Sequence, residues 1–149
     1  MNNHIKEIED SLNDIIQKNA DAIKGYEKAA ENAEQIGLKN YFQVKAKERH
    51  IFLNDLRVAA PALKTKTADE STATGAAHRT WMDIKAFFSG DNDEAMLEEA
   101  IRGDKAAVEE YNEVLADTHL PVEAAAVIRK QRDWLKDDLQ KIKTMEDVR

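Results

Sequence analysis

Apolar residues recur every three or four positions through four long stretches of the chain, the spacing of one face of an α-helix. In the first, residues 5–36, the stripe is Ile5, Ile8, Leu12, Ile15, Ile16, Ile23, Tyr26, Ala30 and Ala33. Gly37 follows it as the expected C-terminal stop. The second, residues 38–63, aligns Tyr41, Phe42, Phe52, Leu53, Leu56 and Ala59, with Pro61 in its last turn. The third, residues 93–117, aligns Leu97, Ile101, Val108, Tyr111 and Leu115, with Asp93 as its expected N-cap. The fourth, residues 121–145, starts at Pro121 and carries Ile128, Leu135, Leu139 and Ile142. The connections at Gly37 and "THLP" are short, which predicts antiparallel neighbours.

The middle connection differs. "KTKTADESTATG" is polar and is followed by "AAHRTWMDIKAFFSG", where Ala77, Thr80, Trp81, Ile84, Phe87 and Phe88 share a face. This predicts a short helix over residues 75–88, read either as a cover for the core or as a docking surface. The crossover, residues 64–92, is long enough to travel the length of a bundle, so the second and third helices can run parallel. The expected architecture is one all-α domain over residues 1–149, a four-helix bundle with one long crossover.

The first and third helices also resemble each other. Aligned without gaps, Ala22-Ile23-Lys24-Gly25 meets Ala100-Ile101-Arg102-Gly103, and Ala29, Glu31 and Ile36 meet Ala107, Glu109 and Val114. A glycine in a helix interior costs about 1 kcal/mol relative to alanine. Two at matching places suggest duplicated helices in which a missing side chain admits a close neighbour. Tyr26 and Asp104 take the same slot after the glycines.

Composition narrows the chemistry. The 149 residues include no cysteine, which removes disulfides, thiolate metal sites and cysteine nucleophiles. The formal charge of −7 disfavours nucleic acid or an acidic membrane surface as partner. No run is long and apolar enough to span a membrane and no signal peptide is recognisable, so the expected location is cytoplasmic. No glycine-rich phosphate loop, nucleophile arrangement or complete calcium loop occurs.

Several polar residues fall inside the apolar stripes or at their edges: Asn19 and Glu27 on the first helix, Lys45, Glu48 and Arg49 on the second, Asp104 on the third, Gln131 and Asp138 on the fourth. Tyr111 joins them as part of an interior polar network with Lys45 and Arg49. Buried carboxylates require cationic partners or metals. Glu27, Glu48, Asp104 and Asp138 are therefore candidate metal ligands, with iron or manganese as the candidate ions. Alternatively, Lys45 and Arg49 neutralise these acids, or the cations reach out to solvent. A di-iron carboxylate bundle uses Glu-x-x-His pairs. None of His4, His50, His78 and His119 completes one, so all four are expected on the surface or in loops.

The segment from Gly75 to Leu115 resembles an uncharacterised bacterial family of ferritin-like four-helix proteins. The likeness rests on His78, Arg79, Trp81, Met82 and Lys85 before the third helix, and on Arg102, Gly103, Asp104 and Tyr111 within it. The resemblance implies a ferritin-like bundle and a link to bacterial stress proteins. It also implies a glutamate where this chain has Asp104, and a histidine near Leu139. The expected function is that of a non-catalytic bundle that acts by association, as a homo-oligomer or with a partner, through helix faces or the Trp81 segment. The alternative is a metal-binding protein, for iron handling or oxidation, with a degenerate carboxylate site.

Overall fold

The computed structural model describes residues 2–59 and 92–149, with side chains from residue 5 onward. Four helices account for most of them: α1 (Asn2–Asn32), α2 (Ile36–Ala59), α3 (Asp93–Leu115) and α4 (Val122–Lys141), followed by a 3-10 turn, Met145–Val148. The described residues contain no strand. The expected helix over 75–88, Pro61 and the His78–Lys85 segment lie outside the described residues.

Each helix packs on two others: α1 on α2 and α3, and α4 on α2 and α3. Side-chain pairings give the directions. Tyr26 meets Asp104 and Asn19 meets Tyr111, so α1 and α3 are antiparallel. Tyr41 meets Asp138 and Gln131 meets the Phe52 carbonyl, so α2 and α4 are antiparallel too. With α1–α2 and α3–α4 joined by short turns, the order is up-down-down-up and α2 runs parallel to α3. Residues 60–91 therefore join two helix ends separated by the length of α2, roughly 36 Å at 1.5 Å per residue.

The apolar core forms two clusters. One gathers Ile8, Leu12, Ile15, Ile16 and Ile23 with Phe52, Leu56, Tyr111, Ile128 and Leu135. The other gathers Tyr26, Ala29 and Ala30 with Leu38, Phe42, Met96, Leu97, Ala100 and Val148. Along α1, α2 and α3 the change from one to the other falls near a buried polar residue, and along α4 near the half-buried Asp138. Ile5, expected in the α1 stripe, is 58% exposed, because it lies a turn beyond the last buried position, Ile8.

The helix boundaries differ from the sequence expectation at two informative places. Gly37 does not stop α1; it lies in the first turn of α2, and its φ is not positive. The α1 end is fixed from elsewhere. Asp93 accepts hydrogen bonds from the backbone N–H groups of Glu34 and Gln35, at 3.0 and 2.9 Å, and Lys39 Nζ donates to the Ala30 carbonyl at 2.7 Å. Asp93 thus orders the α1–α2 turn, while Asn92 caps α3 by accepting from the Ala95 N–H. At the other end, α4 stops at Lys141 rather than near Met145. There Asp147 accepts from the Lys143 and Thr144 N–H groups at 2.8 and 2.9 Å, bonds that hold its carboxyl below the usual range.

This terminal turn explains Gly37. Val148 is buried against the start of α2, and a Cβ on Gly37 would overlap the Val148 carbonyl oxygen. Gly103 is the opposite case: among the described residues nothing lies within 4 Å of where its Cβ would be. Among the described residues the expected close approach is absent there.

The two glycines should respond oppositely to alanine. Gly37→Ala should destabilise the protein by about 1–3 kcal/mol, since backbone must move. Gly103→Ala should stabilise it by about 0.8–1 kcal/mol, the helix-propensity difference. Urea unfolding of both variants checks the signs; equal signs would contradict this packing.

Candidate functional site

Apart from Asp21, which is bonded by Gln17, the buried polar residues of the four helices form one connected network. Its centre is Lys45, only 1% exposed, on the inner face of α2. Lys45 Nζ lies 2.6 Å from Glu48 Oε2, 2.7 Å from Asp104 Oδ2 and 3.0 Å from Asp138 Oδ2. These carboxylates come from α2, α3 and α4. One turn further along α2, Arg49 Nη2 donates to Asp104 Oδ1 at 2.6 Å and Nη1 donates to Asn19 Oδ1 at 2.8 Å. Tyr26 from α1 donates to Asp104 Oδ1 at 2.8 Å, so Asp104 is shared by three donors from two helices.

The network continues away from the charges. Asn19 Nδ2 donates to the Tyr111 hydroxyl at 3.0 Å and to the Ile15 carbonyl at 3.1 Å. Tyr111 donates to Gln131 Oε1 at 2.8 Å, and Gln131 Nε2 donates to the Phe52 carbonyl at 3.0 Å. On the other side Tyr41 donates to Asp138 Oδ2 at 3.2 Å. Aromatic rings wall the centre: Tyr26 and Tyr41 both pack on Phe42, and the Lys45 ammonium lies 5.9 Å from the Tyr26 ring centroid.

The electrostatics follow from how two cations are divided among three acids. Burial works against the charge on Lys45 and on Arg49, but Asp104 above all outweighs it and holds both above their ordinary values. Burial likewise opposes ionisation of Asp104, yet Lys45 and Arg49 together overcome it and hold the carboxyl below 3.8. Glu48 has only a share of Lys45. Burial wins there and pushes its carboxyl above the ordinary 4.5. Burial also raises the phenols of Tyr26, Tyr41 and Tyr111, which therefore act as neutral donors.

The structure brings together Glu48, Asp104, Asp138, Lys45, Arg49 and Tyr111, all anticipated from the helical stripes. Lys45 and Arg49 do not reach out to solvent; both are buried. Glu27 is not brought to the network: it lies on the exposed face of α1, one position beyond Tyr26, whose side chain takes the inward place. Tyr41 reads from sequence as an apolar stripe residue, but its hydroxyl belongs to the network; its place one turn before Lys45 is the signal. Asp21, 3% exposed and bonded by Gln17 at 2.9 Å, had no comparable signal. His50 and His119 are exposed, in line with expectation. Among the described residues no group of three or more His, Cys, Asp or Glu is arranged to hold a metal ion.

Fold and site define an all-α four-helix bundle with an ionic layer across its middle. The chain belongs to a family described as a domain of unknown function (DUF2383), whose model matches residues 7–117. No curated protein and no solved structure matches it. Among the described residues no helix is long and apolar enough to cross a membrane.

Removing Asp104 leaves two buried cations without their main counter-charge. Asp104→Asn should cost about 3–5 kcal/mol, whereas Tyr111→Phe should cost about 1–3 kcal/mol because Asn19 and Gln131 each lose a partner. Chemical denaturation of both variants should return that order.

The pH dependence has two limbs. Asp104, lowered in the fold, stabilises above 3.8, and that contribution is lost as pH falls through its folded value. Glu48, raised in the fold, favours the folded state below 4.5, and that contribution is lost as pH rises through its folded value. Stability should therefore pass through a maximum in mild acid. Glu48→Gln should flatten the upper limb and spare the acid limb in a series of melts against pH.

Proposed function

We propose that this is a ferritin-like bundle without metal chemistry, a cytoplasmic protein acting by association, with its interior ion pairs serving structure. The observation that carries this reading is Lys45 Nζ, within 3.0 Å of Glu48, Asp104 and Asp138. An ammonium stands among the acids where a metal-carrying bundle would place a cation. Moving a metal ion there requires expelling or deprotonating Lys45, whose proton Asp104 and Glu48 hold more tightly than usual. The ferritin-like part of the reading is supported by the up-down-down-up order and by the likeness of α1 to α3.

Association is supported by the outer face of α2. Val44, Ile51 and Val58 recur every seven residues there and are 61%, 49% and 78% exposed. Such spacing keeps three apolar side chains on one seam of a helix. A role in bacterial stress rests on the family likeness alone.

Protein purified without chelator should carry only sub-stoichiometric iron and manganese by elemental analysis, and should not accelerate oxidation of ferrous iron. One or more metal ions per chain, lost in Asp104→Asn, would sink this reading. Association is tested separately by sedimentation: Ile51→Lys should shift the wild-type species toward monomer.

A further inference from the structure

The seam between α1 and α3 is incompletely filled. A cleft of about 190 Å³ opens there. Its walls are short side chains, Ala22 on α1 and Ala100, Gly103 and Ala107 on α3, and its floor includes Arg49 and Asp104. Ala22 and Ala100 are equivalent positions of the internal repeat, so the cleft lies where the two copies face each other. A cavity of about 150 Å³ is enough to hold benzene. This one has room for a slightly larger molecule.

The cleft also has unused polar capacity. Arg49 is 4% exposed, and a guanidinium carries five N–H groups. Asn19 and Asp104 take one each, and Nε has no partner among the described residues. A buried donor without an acceptor is costly, so a ligand bringing an acceptor is favoured.

The charge around the cleft decides the ligand class. Arg49 is already balanced by Asp104 at 2.6 Å. At the rim Asp21, Glu99 and Glu110 outnumber Lys18, which pairs with Glu110 at 2.7 Å. Arg102 pairs with Glu99 at 2.8 Å, so the surroundings carry no surplus positive charge and a carboxylate ligand would find no free cation among the described residues. Both Asp104 oxygens already accept hydrogen bonds, so they offer little to a cationic ligand.

We propose that the cleft between α1 and α3 binds a small uncharged organic molecule, an apolar body bearing one carbonyl-type acceptor that takes a hydrogen bond from the Arg49 guanidinium. This site adjoins the Lys45 cluster through Asp104 and is distinct from the α2 seam, and it stands or falls independently of the proposed association.

The test uses benzamide, toluene and benzoate as probes on the whole chain, followed by titration NMR. Benzamide should bind saturably, with transfer of magnetisation to the Ala22 and Ala107 methyl groups. Toluene, which lacks the acceptor, should bind about tenfold or more weakly. Gly103→Leu should weaken benzamide about tenfold or more, because a helical leucine lies over the turn before it, on Ala100 and Glu99. Its melting temperature should not fall, which separates blocking from unfolding. Absence of saturation by benzamide, benzoate binding as tightly as benzamide, or undiminished binding by a folded Gly103→Leu would each overturn the proposal.

Discussion

Lys45 Nζ is a single ammonium with three carboxylates around it and almost no access to water. Taking such charges out of water costs several kcal/mol per ion, and close opposite charges return that cost only when the geometry is good. Well-packed apolar residues could do as well for net stability. What an ion cluster adds is intolerance of any other arrangement. If α3 slipped by one turn, Asp104 would leave Lys45 and Arg49; Lys45 would keep Glu48 and Asp138, but Arg49 would be stranded without a counter-charge. Rotation of α4 would remove Asp138 in the same way. The register of three helices is therefore tied to one side chain, and α1 is tied in through Asn19 and Tyr26.

The apolar clusters on either side follow from this layer. Alanines and aromatic rings pack around Leu38 and Phe42 on one side, branched aliphatic side chains around Phe52 and Ile128 on the other. Neither cluster specifies the height of the helices as sharply, because apolar contacts tolerate sliding better than hydrogen bonds do. The division of charge has a consequence too. Asp104 contacts both cations and stays ionised readily, while Glu48 shares one and carries the cost of burial. Three acids against two cations leave the layer one positive charge short, and of the three it is Glu48 whose carboxyl burial pushes above its ordinary range.

Much of this was legible in the sequence because helical periodicity is simple geometry. A polar residue inside an apolar stripe must face inward, which singled out Asn19, Lys45, Arg49, Asp104, Gln131 and Asp138 without any partner being known. Pairing was harder to read. Which acid meets which base depends on the height of one helix against another, and no local pattern encodes that. Glu27 shows the limit: it sits at the edge of the α1 stripe, and a rotation of one residue decides between interior and solvent. Gly37 and Asp93 show another. Their partners, Val148 and the Glu34–Gln35 backbone, are far away in sequence, so a local rule assigned each the wrong task. Pro61, Trp81 and the rest of the connection between α2 and α3 lie outside the described residues.

The sequence likeness of α1 to α3 bears on the asymmetry of the layer. Tyr26 and Asp104 occupy the same slot of the repeat, and they touch each other at 2.8 Å. A residue can meet its own counterpart only near the axis that relates two copies, so, were α1 and α3 copies, this bond would mark that axis. The second pair of helices agrees: Leu38, Phe42, Lys45 and Arg49 on α2 have the same four-three-four spacing as Ala124, Ile128, Gln131 and Leu135 on α4. Symmetric copies would place like residues face to face, either two phenols or two acids at the axis. Two acids there, with a second pair of cations on α4, would crowd like charges at the centre. Instead one copy supplies the acid and the other the phenol, while α2 holds both cations and α4 has Gln131 and Leu135 in the matching places. Attraction across a near-symmetric axis requires the two halves to differ in charge, and these substitutions supply that difference.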